Sequence, residues 1–369
     1  MNTGEAEFRT IWLDPGDEGA VIVIDQRLLP HEYREHALRS WRDGRQAIAD
    51  MIVRGAPLIG ATAAWSLYLA ALEGGRAEVE LAADELRAAR PTAVNLGWAV
   101  ERVREAMRAP GGEDPARLKA LAAAICDEDI EICRAIGRNG LPLLREIAAC
   151  KSGPVNVLTH CNAGALATID RGTATAPVYL AHEQGIDVHV WVDETRPRNQ
   201  GSQLTAWELA RRGVPHTLIV DNAGGHLMQR GDVDIVITGT DRTTRSGDVA
   251  NKIGTYLKAL AARDNDIPFY VALPSTTIDW SMRDGLRDIP IEERDGMEVT
   301  HVTGISGDAR MSVNTTADNT PVANPAFDVT PARLVSGLIT ERGICAASEQ
   351  GLLGLFPEFR ERPPREPGA

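Results

Sequence analysis

No CxxC pair occurs in the 369-residue sequence; the five cysteines, Cys126, Cys133, Cys150, Cys161 and Cys345, are odd in number and widely spaced. That spacing argues against a zinc knuckle or a dithiol redox motif, and scattered cysteines suit a reducing cytosol. No apolar run is long enough to span a bilayer. The opening residues, Met1 to Glu7, are polar and acidic and lack the apolar core of a signal peptide, so the expected location is cytoplasmic. No GxGxxG follows a strand-like run and no GxxxxGKS or GxxxxGKT exists, which argues against dehydrogenases and P-loop ATPases. An excess of positive charge is also missing: the net charge is −13, which disfavours nucleic acid and anionic membranes as partners. An anionic small substrate then needs a local basic pocket.

What is present reads as an α/β chain with a sizeable core, since 43% of residues are hydrophobic and 25% charged. Two short apolar runs, 8–13 and 20–26, flank the turn-rich Asp14-Pro15-Gly16-Asp17-Glu18-Gly19 and predict a β-hairpin. Spacing of three and four then predicts helices over 44–53, 57–73, 77–90, 93–108, 114–137 and 141–149, punctuated by Pro57, Gly74-Gly75, Pro91 and Pro110-Gly111-Gly112. From Ser152-Gly153-Pro154 the pattern changes. Strand-like runs at 155–158, 187–192, 217–220, 233–237 and 269–273 alternate with helix-like stretches at 171–184, 203–212, 223–230 and 248–262. Such alternation implies a parallel sheet with crossover helices. The expected organisation is a small, mostly helical N-terminal domain with its hairpin (1–150), a Rossmann-like catalytic domain (151–358), and a charged, proline-rich, disordered tail (359–369).

In an open parallel sheet, ligands bind at the carboxyl ends of strands. Cys161 falls there, after the run 155–158 and ahead of an expected helix N-terminus, whose dipole would favour a thiolate. A small buried hydrophobe is an equally good reading of that cysteine alone. His160 beside it reads more readily as a packed, hydrogen-bonded side chain. Asp241 and Arg242 follow the run 233–237 and reach the same rim, where a carboxyl can act as general acid or base or can simply cap a helix. Asp248 reads as an N-cap that puts Asn251 and Lys252 in a first helical turn, suited to a phosphate. Arg54, Gly55 and Ala56 precede a helix that Pro57 opens, with a small-residue backbone and a guanidinium open to an anion. Arg90 offers a second arginine before a helix. In the loop 193–201, Gln200 can meet sugar hydroxyls, while Asp193, Glu194 and Arg196 fit an ion-pair cluster.

Taken in order, these segments resemble the methylthioribose-1-phosphate isomerase family, whose superfamily includes ribose-1,5-bisphosphate isomerases and regulatory subunits of a translation initiation exchange factor. The resemblance is carried by Asp25-Gln26-Arg27-Leu28-Leu29-Pro30, RGAP at 54–57, RPTAVNL at 90–96, THCNAG at 159–164 and ETRP at 194–197 with Gln200-Gly201. It continues through GDVANKIGTY at 247–256, NPAFDVTP at 324–331 and ITERG at 339–343, covering nearly the whole chain. It implies an aldose–ketose isomerisation of 5-methylthioribose 1-phosphate to the ribulose 1-phosphate in methionine salvage, by a homodimer with no metal or organic cofactor. It implies Cys161 and Asp241 as the catalytic pair, with Arg54, Gly55, Ala56, Arg90, Gln200, Asn251 and Lys252 as substrate contacts. The chain departs from the family pattern at Thr240, Asn199, the segment 273–279 and the segment 316–321. Those polar changes keep 5-deoxyribose 1-phosphate and ribose 1,5-bisphosphate as alternative substrates, with Arg198 and Arg245 as candidate cations for a second phosphate. A non-enzymatic regulatory subunit that binds a sugar phosphate or nucleotide is the alternative of a different class.

Overall fold

The computed structural model describes residues 8–90 and 93–361. The hairpin is present, as β1 (Ile11–Asp14) and β2 (Asp17–Ile24), and gains a third antiparallel strand, β3 (Glu35–Leu38). Helices α1 (Trp41–Ala49), α2 (Ala56–Ala89), α3 (Val94–Met107) and α4 (Pro115–Cys150) follow. Ser40 caps α1 through a reciprocal capping box with Asp43. Non-helical Gly74 and Gly75 interrupt α2 where two helices were expected. By contrast, the expected break near residue 140 is absent: α4 runs through Pro142 for 36 residues. Within it, a Cβ at Gly140 would lie 2.6 Å from Pro177 Cγ; the bare backbone lets the next helix pack against α4. One face of α4 contributes Ile125, Cys126 and Ile130 to the core shared with α2 and α3. Its later turns give Ile136, Leu141 and Leu144 to the core beneath the large sheet.

That sheet has seven strands, of which six are parallel. In chain order the further elements are β4 (Val155–Thr159), α5 (Ala176–Glu183), β5 (Val188–Asp193), α6 (Ala206–Arg211), β6 (His216–Ile219), α7 (Ala223–Gln229), β7 (Ile235–Thr238), β8 (Arg242–Thr244), β9 (Val249–Lys252), α8 (Thr255–Asp264), β10 (Phe269–Ala272), β11 (Ile278–Asp279), β12 (His301–Ser306), β13 (Ala309–Asn314), β14 (Phe327–Thr330), β15 (Gly337–Thr340) and β16 (Gly343–Cys345). The spatial order β16-β15-β10-β7-β4-β5-β6 is the doubly wound order: the chain builds outward one way from β4, returns, and builds outward the other way from β7. The strand sequence therefore reverses between β4 and β7, and a crevice opens at their carboxyl ends. A smaller sheet, β11-β8-β9-β14, stands beside that crevice, and among the described residues no helix is long and apolar enough to cross a membrane.

Three expectations are overturned here. The helix expected over 248–262 starts only at Thr255, behind Gly254 at φ +104°. Residues 249–252 are instead a strand, because Val249 and its neighbours pair with β8 and with β14. Asp248 is consequently not an N-cap; its carboxylate accepts from Gly285 N and Ala332 N and ties loops together. The helix expected from residue 171 begins at Ala176, and the segment after β4 is irregular apart from a short turn at Ala165–Ala167. Phe359, the first residue of the expected tail, stacks on Trp280 with centroids 4.3 Å apart. Pro91, Thr92 and the rest of the tail lie outside the described residues.

Asp129 on α4 is enclosed in the protein and accepts from Ile169 N at 3.1 Å. Burial, opposed by the hydrogen bonds from Ile169 N and Cys133 Sγ, pushes its carboxyl up to about 7 from an ordinary 3.8. A raised carboxyl leaves the native state holding the proton while the unfolded chain releases it, so stability falls as pH rises from about 4 to about 7 and is level above that. Asp129→Asn, which mimics the protonated form, is expected to be as stable as the parent near pH 4 and more stable by up to roughly 4 kcal/mol above pH 7. Urea unfolding of both proteins across that range checks this; a difference independent of pH refutes it.

Candidate active site

Cys161 follows the carboxyl end of β4 and Asp241 follows that of β7, the two strands flanking the reversal. They line one cavity with Arg54, Gly55, Ala56, Asn162, Thr240, Asn251 and Thr277. Asp241 and Ala56 also line an adjoining cavity with Arg90, Arg242, Ile59, Ala93, Ala250, Ile289, Pro290 and Phe327. That second space sets two guanidinium groups among apolar side chains.

The backbone of Cys161 is held in the left-handed region, at φ +67°, an uncommon conformation for a residue with a Cβ. Two threonines pin it. Thr195 Oγ1 accepts from Cys161 N at 2.9 Å, and Thr205 Oγ1 donates to Cys161 O at 2.7 Å. Thr195, itself at φ +63°, is fixed by its N–H to Asp221 Oδ1 at 2.7 Å. His160 is fully buried, as expected of a packed histidine: Nδ1 meets Asp193 Oδ2 at 2.8 Å, and Nε2 donates to the Ile253 carbonyl at 2.9 Å. It thereby ties the cysteine loop to the segment that follows Lys252. His160, Asp193 and Asp221 bring ligand-type atoms within 4.8 Å of one another. The ammonium of Lys258, 3.1 Å from Asp193 Oδ2, already supplies the positive charge among them.

No α-helix begins beside Cys161, so the expected dipole does not act on its thiol. Burial raises the Cys161 thiol above its ordinary value, Arg54 and Lys252 pull it down, and Asp241 pushes it up. Arg54 Nη1 donates to Asn162 Oδ1 at 2.5 Å, and Arg54 Nη2 lies 3.9 Å from Cys161 Sγ. Lys252, on β9 rather than in a helical turn, is 5% exposed. Its ammonium stands 4.8 Å from the centre of the Phe327 ring, and burial lowers its pKa against the opposing charges of Cys161 and Asp241. Burial likewise lowers Arg90, which has Glu292 at 3.6 Å. Among the described residues, neither Arg54 nor Lys252 has a carboxylate within ion-pair distance. A buried Lys252 and a part-buried Arg54 without carboxylate partners are costly unless an anion completes them, which suits the crevice to an anionic ligand.

Arg54 and Gly55 reach this position because α2 starts at Ala56 beside the turn at Ala165–Ala167. Gly55 adopts φ +92°, and a Cβ there would lie 2.5 Å from Ala167 Cα, so only glycine fits on both counts. Asn251 sits on β9 with its amide donating to Thr255 Oγ1 at 3.0 Å. Gln200 is set apart. It lines a wider neighbouring cavity of about 1180 Å³ with Gln26, Arg196 and Arg198, and Arg54 forms the wall between the two spaces. The cations considered for a second phosphate are committed elsewhere: Arg198 pairs with Glu298 at 2.8 Å and Arg245 with Glu349 at 2.7 Å. Sequence reasoning missed Asn162, Thr195, Thr205, Glu208 and Phe327. Asn162 lies inside THCNAG and was within reach, whereas Glu208 comes from a helix with no distinguishing motif.

The model of the Initiation factor 2 subunit family matches residues 52–347. A methylthioribose-1-phosphate isomerase of Brucella anthropi is 59% identical over 363 residues, 97% of this chain and 100% of its own length. The enzyme of that name from Methylorubrum populi is 61% identical over 357 residues, 96% of this chain and 98% of its own. Among solved structures, the 5-methylthioribose 1-phosphate isomerase of Pyrococcus horikoshii superposes with a TM-score of 0.81 at 38% identity, covering 97% of this chain and 100% of that one. The delta subunit of translation initiation factor eIF-2B from A. fulgidus superposes with a TM-score of 0.76 at 38% identity, covering 95% and 99%.

Gly55→Ala is expected to destabilise the protein by ~1–3 kcal/mol from backbone strain alone, with the Ala167 clash added. Urea unfolding measures the loss, and a variant as stable as the parent would show that α2 need not begin where it does.

Proposed function

The chain belongs to the Initiation factor 2 subunit family, and we propose that within it the protein is a methylthioribose-1-phosphate isomerase, an aldose–ketose isomerase converting 5-methylthioribose 1-phosphate to 5-methylthioribulose 1-phosphate in methionine salvage. The observation that carries this reading is the pairing of a thiol and a carboxyl, Cys161 and Asp241, in one cavity lined by Arg54, with the Lys252 ammonium acting on the thiol from nearby and no carboxylate among the described residues within ion-pair distance of either cation. A sugar 1-phosphate supplies the missing anion. The side chains of Ile59, Ala93, Ile289 and Phe327 in the adjoining space offer apolar contact to a methylthio group.

The phosphate on the anomeric oxygen prevents the ring opening available to a free sugar, so the C1–O4 bond itself must break. Asp241 gives its proton to the ring oxygen as that bond cleaves. The electron deficiency left at C1 acidifies the C2 hydrogen, and the Cys161 thiolate removes it to leave an enol phosphate. Return of that proton from Cys161 to C1, with the C2 hydroxyl proton passing to the Asp241 carboxylate, yields the ketose and restores both groups; the product is an isomer and no oxidant is consumed. Arg54, the backbone at Gly55 and Ala56, Arg90, Asn251 and Lys252 hold the phosphate and the sugar, with Gln200 meeting the ligand from the wider cavity. The same reading keeps residues 1–150 as a helical unit and 151–358 as the Rossmann-like catalytic unit, and takes the protein to be a cytoplasmic homodimer.

Purified protein should isomerise 5-methylthioribose 1-phosphate faster than 5-deoxyribose 1-phosphate, and ribose 1,5-bisphosphate least. Cys161→Ser and Asp241→Asn should each lower kcat by roughly 10²–10⁴-fold. Binding of sugar phosphate or nucleotide without turnover of any of these sugars would make the protein a regulatory subunit instead. Deuterium placed at C2 is expected to appear in water during turnover as the Cys161 thiol exchanges with solvent; its complete delivery to C1 would point to a hydride shift or to a transfer shielded from water.

A further inference from the structure

Glu208, on α6, is 3% exposed and takes no direct part in the chemistry above. Its carboxylate accepts four hydrogen bonds: from Asn162 Nδ2 at 3.0 Å and Leu166 N at 2.9 Å on Oε1, and from Ala165 N at 2.7 Å and Tyr179 Oη at 3.1 Å on Oε2. The neighbouring backbone is shaped around it, since a Cβ at Gly164 would lie 2.0 Å from Glu208 Oε2. A buried carboxyl group costs desolvation, and the irregular segment after β4 could end its two N–H groups on water or backbone at less cost. Burial raises the Glu208 carboxyl against the bonds from Asn162, Leu166, Ala165 and Tyr179.

The geometry points to Glu208 as a positioning residue for the isomerisation: it fixes the direction of the Asn162 amide, and the amide holds the Arg54 guanidinium against Cys161. The logic is one of donors and acceptors. Asn162 Nδ2 carries two hydrogens, and both are spent, one on Glu208 Oε1 and one on Thr205 Oγ1 at 3.1 Å. Oδ1 must then face the crevice, where it accepts from Arg54 Nη1 at 2.5 Å, while Arg54 Nη2 stands 3.9 Å from the thiol. A flipped amide would aim two N–H groups at a guanidinium that has only donors. Thr205 closes the circuit, because its hydroxyl hydrogen goes to the Cys161 carbonyl at 2.7 Å and its oxygen is left to accept from Asn162. The charged and titratable groups facing Cys161 are Arg54 from the start of α2, Lys252 from β9 and Asp241 from the end of β7. Of these, Arg54 is the one whose place depends on Glu208. This inference rests on the reading of Cys161 as the working thiol.

The test compares the parent with Glu208→Gln and Asn162→Ala. The rate of alkylation of Cys161 by iodoacetamide, followed by peptide mass spectrometry, is measured against pH, which requires no turnover. Glutamine at 208 keeps one acceptor and sets an NH₂ group among donors, which weakens the hold on the Asn162 amide; alanine at 162 removes the link with Glu208 in place. Both variants should move the midpoint of thiol reactivity up by about half a unit to one unit and move the acid limb of the kcat profile with it. A Glu208 that merely stabilises the fold would lower Tm and leave the midpoint where it is. Unchanged midpoints in both variants, or in Asn162→Ala alone if Glu208→Gln does not fold, overturn the relay. Loss of turnover in Cys161→Ser reports on the thiol separately, so failure of the relay and failure of the isomerase reading are distinguished.

Discussion

The reversal of strand order between β4 and β7 is the constraint on which the site depends. Connections leaving these adjacent parallel strands run to opposite sides of the sheet, so nothing local closes the gap at their carboxyl ends. Residues eighty positions apart in the chain are brought to the two lips of the gap, and the chemistry needs a proton donor on one side and an acceptor on the other. The remainder of the fold serves to fill and charge this opening. The start of α2 brings a guanidinium and a glycine backbone from one side, and β9 brings an ammonium from the other.

Electrostatics inside the opening are a balance rather than a single strong effect. Enclosure works against the thiolate and against the ammonium alike, and the two partly restore one another. On the proposed reading, an arriving dianion would compensate the cations that hold the thiol down, so the empty and filled sites would differ in proton affinity. Holding Cys161 in a left-handed conformation between Thr195 and Thr205 keeps its Sγ facing the cavity throughout.

Much of this was legible in the sequence where local rules apply. The hairpin, α1, the division of α2 at Gly74-Gly75 and the first five parallel strands follow from periodicity and turn residues, because each is decided within a few residues of itself. The failures share one cause. Residues 249–252 form a strand because β8 and β14 lie on either side, and no local pattern announces that. Pro142 is tolerated in α4 despite its reputation, and the expected helix start after β4 is replaced by a turn whose N–H groups end on Glu208. Cys161, Asp241, Arg54 and Gly55 were identified from strand ends, a helix start and family motifs, and the structure brings them to one cavity. Lys252 was chosen for the wrong local reason, while Glu208 and Thr205 carry no signature outside three dimensions.

Helix α4 has a consequence of a mechanical kind. At 36 residues it would extend about 54 Å at the α-helical rise, and it lends successive turns first to one core and then to the other. The two halves of the molecule thus share a spine instead of a linker. Fraying at either core loosens a rod that the other is built upon, which couples their melting into one cooperative event. Adjustment of the crevice to its ligand must then come from loops at its rim or from flexing of the rod, since a free hinge between the halves has nowhere to form along it.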